Sequence, residues 1–346
     1  MHVLIAGGGV GGLCLAQGLS GAGVEITVFE RDPAIAVREQ GYRIHIDADG
    51  DAALRRCLPS DLVDLHLAAS TETGAVNRLT LREILAHGLD NALRFDAKVT
   101  EFVEYDDQVE VRCADGSTAT GDVLIAADGI NSLLRKRLLP GTELIDTGLR
   151  CIYGRTPVIP DERRGPFTAL SDEHGHTLAL AAFDPRQPIS APFLTPVAPY
   201  LMWAVLTPAH RFSATEKAWW DSGEPEALHR LALQVIADWK PDLREIVKQA
   251  AISACIPITI RSSVPVPPWP TRRITLLGDA IHAMTPAGGI GANTALRDAA
   301  LLTDQLAAVD RGEAELRPAL AEYEARMREY GFAAVASSLR AMETIR

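Results

Sequence analysis

The run Gly7-Gly8-Gly9-Val10-Gly11-Gly12 follows directly on the apolar stretch Val3-Leu4-Ile5-Ala6. A short apolar run leading into glycines is the form of a buried parallel strand. Leu13 to Leu19 then predicts a helix, and Val24 to Phe29 a second strand that ends at Glu30. Strand, turn, helix, strand and acid within about 30 residues is the layout of a dinucleotide-binding βαβ unit. Gly7 permits the tight turn, Gly9 lets the backbone approach a diphosphate, and Gly12 lets helix and strand pack closely. Val10 and Gly11 belong to the same cofactor-binding turn, and the free N–H groups and dipole of the helix start favour phosphate oxygens. Glu30 is placed to accept hydrogen bonds from ribose hydroxyls.

This unit alone does not separate a nicotinamide dinucleotide from a flavin one. Two later segments do. Asp122 to Ala127 is an apolar strand that ends in Asp128-Gly129, with Arg135 shortly after. Ile274 to Leu277 is another, ending in Gly278-Asp279. Pro286-Ala287-Gly288-Gly289-Ile290-Gly291-Ala292-Asn293 follows, and then a helical run from Thr294 to about Val309. A second glycine-rich turn carrying Gly-Asp points to a flavin held at both ends.

These motifs, in this order and with this spacing, resemble the single-component, class A FAD-dependent monooxygenases with the para-hydroxybenzoate hydroxylase fold. The resemblance covers the first glycine turn with Glu30, Asn77-Arg78, Asp128-Gly129 and the Gly278 to Asn293 segment. It implies FAD as cofactor and NADH or NADPH as transient reductant. Glu30 would bind the adenosine ribose, with Arg31 over the adenine. Arg78 would open a helix and reach the flavin ring or its phosphates. Asp128 would serve FAD and the passing nicotinamide, and Asp279 would accept from a ribityl hydroxyl. Pro286, Gly289, Gly291, Ala292 and Asn293 would carry the backbone past the flavin edge and aim the next helix at the pyrimidine. A helix N-terminus there stabilises the negative charge of reduced flavin. The family's Gly-Gln-Gly is Gly289-Ile290-Gly291 here, which removes any role for the glutamine side chain.

The fold implied is α/β: a Rossmann-like FAD-binding domain with an inserted mixed or antiparallel β-sheet substrate domain and a C-terminal helix. The divisions expected are 1–141 and 266–312 for the FAD-binding domain, 142–265 for the substrate domain and 313–346 for a helical closing segment. Residues 142–265 carry apolar runs such as Thr177 to Phe183 and Tyr200 to Leu206, punctuated by prolines, as in an antiparallel sheet with loops. Trp203 and Phe183 are the aromatics expected to line an apolar cavity there. The last segment is expected to close over this sheet.

The 346-residue chain has a formal charge of −11, which argues against nucleic acid or an anionic membrane as partner. No apolar stretch approaches the ~18 residues of a membrane span. The five cysteines are dispersed and form no Cys-x-x-Cys, so free thiols in a cytoplasmic protein and no metal site are expected. Arg43 and His45 alternate with apolar residues in Gly41 to Ile46 and so share one strand face. His282 reads as a packing or capping residue, and no acid–base residue is assigned.

The activity implied is monooxygenation. NADH or NADPH reduces the flavin, O2 reacts with the reduced ring, and a small apolar cyclic substrate is hydroxylated or epoxidised. A flavin-dependent reductase of isoprenoid double bonds, or a cyclase that uses FAD without net redox turnover, stays open on the same motifs.

Overall fold

A computed structural model describes residues 1–37, 43–157, 167–186 and 191–345. The chain begins with β1 (His2–Ala6), α1 (Val10–Gly21) and β2 (Glu25–Phe29). Then come β3 (Arg43–His45), α2 (Ala48–Cys57), α3 (Ser60–Ala69), β4 (Ala75–Asn77), α4 (Arg78–Ala86) and β5 (Leu93–Arg94). A three-stranded antiparallel sheet, β6 (Val99–Glu104), β7 (Val109–Cys113) and β8 (Thr118–Gly121), precedes β9 (Val123–Ala126) and α5 (Leu133–Leu138). Gly41 and Tyr42 of the expected strand lie outside the described residues.

The next stretch is β10 (Leu144–Thr156), β11 (Thr168–Ser171), β12 (Thr177–Phe183), β13 (Tyr200–Pro208), three helices α6 (Ala214–Ser222), α7 (Pro225–Val235) and α8 (Pro241–Lys248), and β14 (Ile256–Ser263). The chain ends with β15 (Ile274–Leu276), α9 (Asp279–His282), α10 (Gly291–Asp310) and α11 (Leu316–Ile345).

The architecture is α/β. One sheet is parallel, in the order β15-β9-β1-β2-β5. Val3, Leu4, Ile5, Val123, Leu124 and Ile125 are fully buried, because a parallel sheet is covered on both faces. The chain runs from β1 outward through β2 and β5 on one side and lays β9 and β15 on the other. Such a reversal of strand order opens a crevice at the carboxyl ends of the strands, where ligands bind. The turns after β1, β9 and β15 all leave from that edge.

The second sheet is antiparallel, in the order β11-β12-β13-β10-β14. One of its faces packs on α7 and α8 through Leu178, Leu180, Leu201, Trp203 and Val205. The other carries Ala179, Ala204, Leu149 and Ile260, and meets Ala287 and Met342. Trp203 therefore does not line the cavity as expected. It is fully buried on the helix face, against the backbone of Gly154. Phe183 is on the cavity side, stacked on Tyr200 with ring centroids 5.1 Å apart.

The C-terminal helix also differs from expectation. α11 packs chiefly on the parallel-sheet half: Tyr323, Met327 and Val335 join that core, and the Tyr323 hydroxyl donates to the Leu276 carbonyl at 2.8 Å. Only its far end, at Met342, reaches the antiparallel sheet. The helix also packs along α10. Among the described residues no helix is long and apolar enough to cross a membrane.

Candidate flavin site

The first glycine turn has the geometry its sequence demands. Gly7 has φ of 119°, and a Cβ there would lie 2.2 Å from the Ala127 carbonyl oxygen. A Cβ on Gly12 would lie 2.1 Å from the Gly7 carbonyl oxygen. Gly9 is the opposite case, with nothing within 4 Å of a Cβ built on it. It stands at the N-cap of α1 and offers no side-chain cap, so the first helical N–H groups, of Val10, Gly11 and Gly12, are left for another acceptor.

Glu30 is buried beneath this turn. Its Oε2 accepts from the Gly8 N–H and its Oε1 from the Asp32 N–H, each at 2.9 Å. Arg82 holds the next peptide: Nε and Nη2 donate to the Gly8 carbonyl at 3.2 and 3.0 Å, and Nη1 to the Ile35 carbonyl at 3.1 Å. The two peptide groups that flank the Gly8 Cα are thus both fixed, which orients the amides that follow. Arg82 also lies 3.6 Å from Glu30, with both side chains buried. Arg82 was not among the residues the sequence pointed to. Its signal was its place one helical turn after Arg78 on α4.

Asn77 positions both arginines. Its side chain caps α4 by accepting from the N–H groups of Leu79 and Thr80, which makes Arg78 the first helical residue. Its Nδ2 also donates to the Tyr200 hydroxyl at 3.2 Å, so the same residue touches the second sheet. Arg78 is half-buried, whereas Arg31 is exposed just past β2.

Asp128 follows β9. Its Oδ2 accepts from the Leu133 N–H at 3.0 Å, while its buried Oδ1 has no partner among the described residues. Burial pushes its carboxyl pKa up. Arg135 joins this turn to the next by donating to the carbonyls of Ile130 at 3.1 Å and Ala280 at 2.8 Å.

Asp279 opens α9, directly after the third turn. Asp279 is exposed as a residue, and its carboxylate makes no hydrogen bond to the described residues. Crowding by the surrounding chain pushes its pKa up, partly opposed by His282 and Arg78. Pro286 starts a single 3-10 turn, and Gly289 completes it in the left-handed conformation at φ of 64°. Gly291 and Ala292 form the first turn of α10, a 20-residue helix whose N-terminus also lacks a side-chain cap. Asn293 is turned inward. It donates to the His45 carbonyl at 2.9 Å and accepts from the Asp47 N–H at 3.2 Å, tying the end of β3 to α10. Arg43 donates to the Ala182 carbonyl at 3.2 Å at the edge of the second sheet.

The donor set fits FAD. Two uncapped helix N-termini, the open position over Gly9, the unpartnered Asp128 oxygen and the unbonded Asp279 carboxylate all belong to turns on one edge of the parallel sheet. Beside the Pro286–Ala287 turn, a cavity opens under the antiparallel sheet, lined by Leu149, Tyr153, Ala169, Thr177, Ala179, Met202, Ala204, Leu206 and Met342. A wider groove between Leu138–Glu143 and Val264–Arg272 contains none of the flavin-site residues expected from the sequence.

A family model described as an FAD binding domain matches residues 232–338. The dual O-methyltransferase/FAD-dependent monooxygenase CTB3 of Cercospora beticola is 31% identical over 94% of this chain, which spans only 44% of that relative's length. The aurachin C monooxygenase/isomerase of Stigmatella aurantiaca is 31% identical over 94% of this chain and 84% of its own. The crystal structure of an FAD-containing monooxygenase from Photorhabdus luminescens superposes with a TM-score of 0.87 at 32% identity, covering 100% of this chain and 98% of that one. The chain belongs to the class A FAD-dependent monooxygenases.

Proposed function

We propose that this chain inserts one oxygen atom from O2 into a small, uncharged, apolar cyclic substrate, by hydroxylation or epoxidation, with NADH or NADPH as reductant. The observation that carries the substrate class is the cavity beside the Pro286–Ala287 turn, whose lining among the described residues includes no charged side chain. A carboxylate substrate would lose its hydration there without a compensating cation.

FAD supplies oxygen activation once it is reduced. The chain's residues bind and orient it. The N–H groups after Gly9 and the α1 dipole would hold the diphosphate, with the peptide groups on either side of Gly8 fixed by Glu30 and Arg82. Glu30 has acceptor capacity left on each oxygen for a ribose hydroxyl. Asp279 would accept from the ribityl chain, and Arg78, at the start of α4, would hold the flavin or its phosphates. The N-terminus of α10 offers partial positive charge where the reduced pyrimidine becomes negative. The antiparallel sheet excludes water from the reacting ring.

The test is isotopic. With NADPH, heavy-isotope oxygen gas and a naphthol as probe, the product should gain one labelled oxygen. A product whose new oxygen comes from water, or whose mass is unchanged, would sink the proposal.

A further inference from the structure

One row of residues forms the floor of the cavity over the antiparallel sheet. Ala169, Ala179, Ala204 and Tyr153 stand opposite one another on β11, β12, β13 and β10. All four line the cavity beside the Pro286–Ala287 turn. Adjacent strands are ~4.8 Å apart, so the three alanines make a strip about 10 Å long with little side-chain relief. Tyr153 stands at its inner end. The other end lies on β11, the edge strand, where Phe167 also lines the cavity and is 52% exposed. The rows two residues to either side carry Thr177 with Leu206, and Ala181 with Met202. Leu206 and Met202 thus stand as walls along the strip.

The roof over the strip comes from the other half of the chain. Met342, in the last turn of α11, is buried and packs in one apolar cluster with Ala179 and Ala204, with Ala287 against them. Roof and floor belong to one packed cluster, so the space between them is shallow. The helix is held where it reaches the sheet: the hydroxyl of buried Thr285, the residue before Pro286, donates to the Ser338 carbonyl at 2.9 Å. Ser338 and Met342 are four residues apart and so share a face of α11. The Thr285–Ser338 bond therefore fixes the backbone of Met342 over the alanines, while its unbranched thioether side chain can change shape above them.

We propose that Met342 is a specificity-determining residue: its side chain sets the height of the substrate space over the alanine strip, and so admits flat fused rings and rejects saturated ones of the same outline. The inference rests on the proposed use of this cavity for the substrate. A thicker ring would have to push Met342 away from a backbone position that is held, and such overpacking is unfavourable.

The experiment measures binding of a naphthol and of its fully saturated analogue to the FAD-loaded protein without reductant. Equilibrium dialysis gives both dissociation constants whether or not turnover follows. The two probes share the hydroxyl and the fused skeleton and differ in thickness. The wild type should bind the flat probe at least about tenfold more tightly. Met342→Ala should cut that ratio to about threefold or less, mainly through tighter binding of the saturated probe. Met342→Leu, close to Met in volume, should keep the wild-type ratio. An unchanged ratio in Met342→Ala, with FAD content and thermal unfolding as in the wild type, would overturn the inference, as would equal loss of both probes. Should Met342→Ala fail to fold, Met342→Phe decides: the ring lowers the roof and should weaken naphthol binding at least about tenfold, and naphthol bound as in the wild type would overturn the inference. A wild type that binds neither probe, or both alike, would overturn it too. A wild type that shows the preference yet transfers no labelled oxygen to the naphthol would instead defeat the proposed function and leave this inference standing.

Discussion

In the middle of β12 and β13 the two faces of the antiparallel sheet differ in side-chain volume. On the helix face, Leu178 pairs across with Val205 and Leu180 with Trp203. On the cavity face, one residue along, Ala179 pairs with Ala204 and Ala181 with Met202. Alternation puts successive residues on opposite faces, so one register sets both. The large pairs fill the space against α7 and α8 and contribute stability through close packing. The small pairs leave room beside the turn at Pro286–Ala287. Stability and ligand space are thus assigned to alternate residues of β12 and β13.

The strongest way to break this comparison is Trp203→Ala. It removes the largest side chain from the helix face and should cost about 3–5 kcal/mol of stability, measured by thermal or denaturant unfolding. FAD content and substrate preference of the folded fraction should stay as in the wild type. A changed substrate preference without loss of stability would put Trp203 on the wrong face.

Ala179→Phe sharpens the comparison from the other side. The added ring enters the cavity, so unfolding should change little while kcat/KM for an apolar probe falls at least about tenfold, or roughly 1.4 kcal/mol. Unchanged turnover would mean that the cavity does not hold the substrate.

Much of the nucleotide half was legible because its constraints are local. Gly7 and Gly12 approach other backbone atoms too closely for any side chain, and that demand shows as glycine at fixed spacing. The strands after which the turns come are apolar throughout, as parallel strands must be. Arg82 escaped notice because nothing near it in sequence reveals that its target is the Gly8 carbonyl, 74 residues away. The 2.7 Å contact between His282 and Asp298 is hidden in the same way, since only the packing of α9 on α10 brings the two together.

The second sheet was less legible for a different reason. Tyr200-Leu201-Met202-Trp203-Ala204-Val205-Leu206 is apolar at every position, so the alternation has no polar phase to mark the outer face. Which residues face helices and which face the cavity is fixed by the partner elements. The assignment of Trp203 to the cavity failed on this point. The direction of α11 was misjudged because a charged, amphipathic helix carries no label for the surface that receives it.

The central claim is that the turns of the parallel sheet hold FAD while the cavity face of the antiparallel sheet selects the substrate. The most direct test is the FAD dissociation constant of Asp279→Ala and Ala179→Phe, measured side by side by dilution of the holoenzymes. Loss of a hydrogen bond to a charged acceptor, about 1–3 kcal/mol, should weaken FAD binding roughly tenfold to a hundredfold in Asp279→Ala. Ala179→Phe should bind FAD as the wild type does. Wild-type affinity in Asp279→Ala together with FAD loss in Ala179→Phe would contradict the account.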